Sequence, residues 1–131
     1  MKILLHDRSF QISSQLERNI KSIDSSISVS KVNETETAID SAKSSDYKMM
    51  ITDGNSLEGK FKELTSAFKN SNPDSYLIVL IAFGNSRLKE KFIDNGADYC
   101  FDRICEFDTF MDFIKSVNRE VKDLEKLQRA V

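Results

Sequence analysis

The chain has 131 residues, of which 40% are hydrophobic and 31% are charged, a composition typical of one globular domain. Its 19 basic and 21 acidic residues leave a net charge of −2, which gives no reason to expect direct binding to nucleic acid or to a membrane. The apolar runs are too short for a signal peptide or a membrane span, and Cys100 and Cys105 fit a reducing compartment. We therefore expect a soluble cytoplasmic protein.

The first part of the chain alternates a strand, a helix and a second strand. The compact apolar run at residues 2–6 predicts the first strand, and Asp7 or Ser9 is expected to cap the helix that follows. Residues 27–30 alternate between apolar and polar side chains. This alternation predicts an edge strand with one face in solvent.

The most apolar run of the chain lies near its centre. Asn33 or Thr35 is expected to cap a second helix, after which residues 47–53 form a nearly unbroken apolar run that ends on Asp53. A short apolar run of this kind, bounded by turn residues, predicts a strand that is buried on both faces. Ligands of open parallel sheets bind beyond the carboxyl ends of such strands, so we expect Asp53 at the mouth of a crevice, on the central strand.

The second part of the chain continues the alternation. Its predicted elements are, in order, a helix at 56–69, a strand at 76–83, a helix capped by Ser86, a strand at 99–101 and a helix that starts near Asp108. Five strands alternating with five helices predict right-handed crossovers and a parallel sheet covered on both faces. We therefore predict an α/β fold, a doubly wound five-stranded parallel sheet in three α/β/α layers.

Five segments of this pattern resemble, in register, the receiver domain of bacterial response regulators. Residues 2–7 (KILLHD) resemble the family's first strand with its acidic end, and residues 49–53 (MMITD) resemble its third strand, which ends in the phosphoacceptor aspartate. Residues 80–82 (LIA) resemble the end of the fourth strand. Residues 95–99 (NGADY) resemble the segment before the fifth strand's lysine, a position held here by Arg103. The resemblance implies a flavodoxin-like sheet with strand order 2-1-3-4-5.

The resemblance also implies where the domain ends. Residues 1–117 are expected to form the receiver-like domain, and residues 118–131 are expected to be a C-terminal extension of the last helix. A heptad-like seam crosses this boundary at Ile114, Val117, Val121 and Leu124. Such a seam is typical of a linker to an output domain or of a small dimer contact, and the alternative is a terminal helix that packs only at its start.

The resemblance places the functional residues at the carboxyl edge of the sheet. It implies that Asp53 is the phosphoacceptor and that Mg²⁺ is held by Asp7, Asp53 and the backbone carbonyl of Asn55. Arg8 stands where the family has its second acidic ligand, and because a guanidinium repels a cation we expect Mg²⁺ binding to be weak. Arg103 keeps the positive charge of the family's lysine but spreads it over a planar group.

Two further positions of the family, those that switch on phosphorylation, fall on Ile81 and Cys100. They replace a hydroxyl and an aromatic side chain respectively. Because Ile81 offers no hydrogen bond to a phosphoryl oxygen, we expect little rearrangement of the fourth helix and fifth strand when a phosphate analogue is added.

These residues leave two functions open. In the first, the chain is the signal receiver of a two-component response regulator, which accepts a phosphoryl group on Asp53 or signals without phosphorylation. In the second, it is a pseudo-receiver interaction module in which Arg8 or Arg103 neutralises Asp53 by a charge-assisted contact. Neither function is enzymatic. The expected partners are a histidine kinase or another signalling protein, together with a second copy of the chain.

Overall fold

The structure, a computed structural model that describes residues 1–130, contains one five-stranded sheet. The strands are β1 (Lys2–His6), β2 (Ser28–Val32), β3 (Met49–Asp53), β4 (Tyr76–Ile81) and β5 (Tyr99–Asp102). All neighbouring strands are parallel, and their order is β2-β1-β3-β4-β5. The predicted sheet and its strand order are confirmed.

The helices cover both faces of this sheet. They are α1 (Phe10–Ile23), α2 (Thr35–Ala42), α3 (Phe61–Ser71), α4 (Ser86–Asp94) and α5 (Phe107–Arg129). α1 and α5 pack on one face, whereas α2, α3 and α4 pack on the other. The three α/β/α layers of the prediction are therefore confirmed. No helix within residues 1–130 is both long enough and apolar enough to cross a membrane.

β3 lies at the centre of the sheet, and all five of its residues are buried. Alternate side chains point to opposite layers, so that Ile51 joins the core under α1 and α5 while Met50 joins the core under α2 and α3. Each such fully buried side chain contributes roughly 1.5–3 kcal/mol to stability. The apolar run thus fixes β3 between two cores, and it brings Asp53 to the carboxyl edge of the sheet.

The third helix begins later than its apolar spacing predicts. A short 3₁₀ helix at Gly54–Ser56 follows β3, and α3 begins only at Phe61. Between them, Glu58 and Gly59 have φ angles of 52° and 75°. Left-handed backbone cannot continue a right-handed helix, so the predicted helix start at residue 56 is wrong.

The start of the second helix also differs from the prediction. Its N-cap is Glu34, whose side chain makes no capping hydrogen bond. The two predicted caps bind elsewhere: Asn33 Nδ2 donates to the carbonyl of Asp7 at 2.8 Å, and Thr35 Oγ1 donates to the carbonyl of Ser56 at 2.7 Å. Both side chains therefore hold the main chain of loops at the carboxyl edge of the sheet.

The end of β4 and the cap of α4 both differ from the prediction. β4 ends at Ile81, before the predicted end of the strand, and Phe83 has a φ angle of 58°. Asn85 caps α4, because its side chain accepts the N–H of Leu88 at 2.9 Å, so the predicted cap Ser86 is wrong by one residue.

α5 is the longest helix of the chain. It begins at Phe107 and continues without a break across residues 117 and 118 to Arg129. Leu124 and Leu127, in its last turns, are exposed. The division between a domain at 1–117 and an extension at 118–131 therefore stays a prediction, and Val131 lies outside the described residues.

Candidate functional site

Asp53 is the last residue of β3, and its side chain opens into a cleft of about 420 Å³ at the carboxyl edge of the sheet. The residue is only 7% exposed, so its charge is largely removed from water. The polar residues that line this cleft are Asp7, Arg8, Ser9, Asp53, Asn55, Ser56 and Arg103. The position predicted for Asp53, on the central strand at the mouth of a crevice, is confirmed.

Ser56 is a site residue that spacing alone does not single out, because its position suggests a helix start. The 3₁₀ helix instead turns its side chain back, and Ser56 Oγ donates a hydrogen bond of 2.7 Å to Asp53 Oδ2. Ser56 Oγ in turn accepts the main-chain N–H of Arg8 at 3.0 Å. Ser56 therefore connects the loop after β1 to the carboxylate at the end of β3.

Arg103 reaches across the cleft from the loop after β5 and lies between its two carboxylates. Its Nη1 is 3.4 Å from Asp7 Oδ2, and its Nη2 is 3.5 Å from Asp53 Oδ1. The Arg103 side chain is only 19% exposed. Asp53 Oδ1 makes no hydrogen bond within residues 1–130, so its contact with Arg103 is an ionic one. One guanidinium thus faces both acids of the site.

Asp7 is the more enclosed partner of this arrangement. Its Oδ1 accepts the N–H of Ser9 at 2.8 Å, while Ser9 Oγ caps α1 by accepting the N–H of Ile12. Burial raises the pKa of Asp7 above its ordinary value, and the negative charge of Asp53 acts in the same direction. The N–H of Ser9 and the guanidinium of Arg103 oppose this change in pKa.

Arg8 pairs with an acid at the surface and not with Asp7 or Asp53. Its Nη2 binds Glu58 Oε1 at 3.1 Å, and the Arg8 side chain is 60% exposed. Glu58 reaches Arg8 because it stands in the left-handed turn before α3. Of the two arginines that the prediction offers to Asp53, Arg103 therefore makes the contact and Arg8 does not, because Glu58 offers Arg8 a partner without the cost of burying its charge.

His6 lies beneath the cleft as a fully buried residue of β1. Its Nδ1 is hydrogen-bonded to Thr52 Oγ1 at 2.8 Å, whereas its Nε2 has no partner within residues 1–130. Burial lowers the pKa of His6, although the nearby charges of Asp53 and Glu58 oppose this change. His6 therefore lies in the strand predicted at residues 2–6.

Asp102 fixes the loop that carries Arg103. Its Oδ1 accepts the N–H groups of Ile104 at 2.9 Å and Cys105 at 3.2 Å. These hydrogen bonds lower the pKa of Asp102, and the N–H of Gly84 acts in the same direction. Because the main chain of Arg103 lies inside this turn, a buried carboxylate at the end of β5 sets where its guanidinium can reach.

Comparison with known proteins finds likeness in structure and none in sequence. No protein-family model matches the chain, and no curated protein matches its sequence. The signal receiver domain of a DNA-binding response regulator (merR) from Colwellia psychrerythraea has a TM-score of 0.80 at 12% identity, over 91% of this chain and 98% of that one. The beryllofluoride-activated NtrC4 receiver domain dimer has a TM-score of 0.74 at 20% identity, over 91% of this chain and 97% of that one.

A third solved structure covers more of the chain. It is a response regulator from Burkholderia pseudomallei with a phosphorylated aspartic acid, a calcium ion and citrate. Its TM-score is 0.73 at 16% identity, over 97% of this chain and 74% of that one. This chain has the receiver-domain fold. The likeness concerns the fold alone, so what the site does has to be argued from its own residues.

The two predicted switch positions of the receiver fold lie behind the cleft. Ile81 is buried at the end of β4, and a Cβ atom at Gly54 would lie only 3.0 Å from its Cγ2. Cys100 is half-buried and packs against the core that Ile81 and Val79 form. Burial raises the pKa of Cys100 to about 11, so the thiol stays protonated near neutral pH. Their role in switching stays a prediction.

The residues of the cleft fit a tightly bound Mg²⁺ poorly. Asp7 and Asp53 are present and Asn55 lines the cleft, but the guanidinium of Arg103 already lies against both carboxylates. A divalent cation between these acids would have to displace that guanidinium or lie close to its positive charge. Within residues 1–130, no group of three or more His, Cys, Asp or Glu side chains could hold a metal ion.

Proposed function

We propose that this chain is a receiver-type signalling domain in which Arg103 neutralises the aspartate site, so that the domain binds its partners without phosphorylation. One observation carries the proposal: a single guanidinium lies 3.4 Å from Asp7 and 3.5 Å from Asp53. Arg8, the other arginine of the cleft, is engaged by Glu58 and takes no part in the neutralisation.

In the proposed site, the positive charge of Arg103 takes the place of a metal ion. Phosphoryl transfer depends on positioning and on neutralising charge, and Mg²⁺ supplies both in ordinary sites of this chemistry. Arg103 supplies a permanent positive charge, since a guanidinium is not deprotonated in proteins. One of the two negative charges of Asp7 and Asp53 is then compensated in the resting protein without a metal, and the conformation no longer depends on metal or phosphate.

A second candidate function is acceptance of a phosphoryl group on Asp53. The observation that favours it is Asp53 Oδ1, which is buried and makes no hydrogen bond within residues 1–130, in a residue that lines the cleft of about 420 Å³. In this case Arg103 would contact the incoming phosphoryl oxygens, a contact for which a planar guanidinium is well suited. Both functions use Asp53 and Arg103, and the experiment below distinguishes between the two functions.

The proposed partners are proteins. We propose a histidine kinase or another signalling protein as the first partner, in a cytoplasmic setting, with no enzymatic turnover by this chain and no direct binding to nucleic acid. A homodimer is the second proposal. It is supported by the exposed Leu124 and Leu127 on the last turns of α5, and the NtrC4 receiver domain is itself a dimer.

The test is treatment with acetyl phosphate and Mg²⁺ followed by intact mass measurement. We expect the parent protein to gain almost no phosphoryl mass, while the double variant Arg8→Asp with Arg103→Lys gains it, because that variant has an additional acid and the compact charge of lysine. Asp53→Asn in the same background is the control for the modified residue.

A Mg²⁺ titration followed by amide NMR shifts completes the test. Arg8→Asp should bind Mg²⁺ severalfold more tightly than the parent, because it adds a carboxylate beside Asp7. Rapid phosphorylation of the parent on Asp53, with tight Mg²⁺ binding, would contradict the neutralised site and establish the second candidate.

A further inference from the structure

A second concavity, separate from the cleft of Asp53, lies between α3 and α4. Its volume is about 400 Å³, within the range of small-molecule sites. The loop that follows β3 forms one wall, from Gly54 to Gly59, and α4 forms the opposite wall. Neither the neutralised site nor the two switch positions accounts for this pocket.

The floor of the pocket is apolar and aromatic. Phe61 and Phe92 meet edge to face, with ring centroids 5.1 Å apart and planes at 86°. Leu57 and Leu88 line the pocket beside them. Such a surface favours a flat apolar body, because aromatic pairs gain energy from stacked and edge-to-face contacts beyond simple burial.

The rim of the pocket is basic. Lys62 on α3 and Lys91 on α4 line it, and neither forms an ion pair with a residue in the described part of the chain. Their neighbours differ, since Lys60 pairs with Glu36 and Lys89 pairs with Glu106. Two uncompensated positive charges therefore flank an apolar floor, and this combination selects for an anion.

The wall on the side of α3 leaves room for a ligand. Gly59 has a φ angle of 75°, and a Cβ atom built there would meet nothing within 4 Å. Gly54, at the other end of this wall, is so close to Phe92 that a Cβ atom would lie 3.2 Å from the ring. The pocket is thus open at Gly59 and closed by the aromatic floor at Gly54.

We propose that this pocket binds a small amphipathic anion, an aromatic ring system that carries a carboxylate. The ring packs on Phe61 and Phe92, and the carboxylate lies between the ammonium groups of Lys62 and Lys91. The proposal does not depend on whether Asp53 is phosphorylated, because the pocket uses neither Asp53 nor Arg103.

Binding at this pocket would act on the cleft of Asp53. Gly54 belongs to both the pocket and the peptide that follows Asp53, and Phe92 joins it to α4. α4 contributes no fully buried residue to the core, so its position is less constrained than that of the other helices. A ligand wedged between α3 and α4 would therefore change the position of α4 and the environment of Asp53 together.

The experiment uses 2-naphthoate as the probe and follows the amide NMR spectrum of the full chain. We expect saturable shifts at Gly54, Leu57, Gly59, Leu88 and Phe92. 2-Naphthamide has the same ring system without the negative charge, so it should bind more weakly. Equal binding of both probes, or shifts centred elsewhere, would overturn the proposal.

A pair of charge-matched variants completes the test. Lys62→Gln with Lys91→Gln should weaken naphthoate binding about three- to tenfold, the effect expected for two exposed charge contacts. Lys21→Gln with Lys126→Gln removes the same net charge from exposed positions on α1 and α5 and should leave binding unchanged. If both double variants bind alike, the lysines of the rim do not hold the carboxylate and the proposed site is wrong.

Discussion

Arg103 stands at the position where the receiver resemblance expects a lysine, and its geometry differs from that of a lysine in one respect that matters. The two terminal nitrogens of its planar guanidinium let Nη1 face Asp7 while Nη2 faces Asp53, so one side chain lies close to two buried acids. Arg8, one residue after Asp7, has the same charge and a different role, since it binds Glu58 at the surface. An arginine that is close to an acid in the sequence is therefore not necessarily the one that pairs with it in the structure.

The buried side chain of His6 should make the stability of the protein depend on pH. Burial lowers its pKa below the ordinary value of 6.5, so the folded protein binds fewer protons than the unfolded chain in that range. The stability that His6 contributes is then fully present above pH 6.5 and is lost as the pH falls from 6.5 through the lowered pKa. Urea midpoints measured between about pH 7.5 and about pH 5.5 should therefore decrease as the solution is acidified.

The control for this prediction is His6→Gln, which keeps a polar partner for Thr52 but does not titrate. Its urea midpoint should change much less over the same pH range than that of the parent. If the parent and the variant show the same pH dependence, His6 is not the group responsible.

The elements that carry the site are the loops after β1, β3 and β5, and side chains bound to their main chain hold them in place. Asn33 binds the carbonyl of Asp7, Thr35 binds the carbonyl of Ser56, and Asp102 binds the N–H groups that follow Arg103. The sequence pattern favours capping roles for Asn33 and Thr35 because both residue types are good N-caps. Their true partners lie in other segments, and spacing along the chain contains no information about such distant contacts.

Asp102 should stabilise the turn after β5 that carries Arg103. Asp102→Ala removes the acceptor of two N–H groups in the turn after β5, and we expect the free energy of unfolding to decrease because these hydrogen bonds are lost. Amide hydrogen exchange should accelerate at Ile104 and Cys105 in particular. Asp102→Asn keeps an acceptor oxygen and should have a smaller effect on both measurements.

Uniform exchange across the whole sheet in Asp102→Ala would contradict this local role. In that case the carboxylate would stabilise the fold as a whole, and the position of Arg103 would have to be set by other contacts.

In the whole molecule, the alternation of apolar runs with amphipathic helices predicts the parallel sheet and the place of Asp53, whereas the strand order is predicted only by the resemblance to receiver domains. Buried apolar runs such as residues 49–52 admit few alternatives once they alternate with amphipathic helices. The start of α3 is not predictable in the same way, because the left-handed turn at Glu58 and Gly59 interrupts a run whose apolar spacing continues. The partners of Arg8 and Ser56 depend on that turn, so the details of the site follow from a feature that the spacing does not reveal.

The central claim is that Arg103 neutralises Asp53 in the resting protein, and a double-mutant cycle in urea without Mg²⁺ tests it directly. We predict that Asp53→Ala lowers the free energy of unfolding by roughly 1–2 kcal/mol and that Asp53→Asn, which keeps an acceptor for Ser56, lowers it by less. Combined with Arg103→Met, the loss should be smaller than the sum of the single losses by about 0.5–2 kcal/mol. If Asp53→Ala is instead more stable than the parent and the two substitutions are additive, repulsion between Asp7 and Asp53 dominates an open acidic site, and the account of a neutralised receiver is wrong.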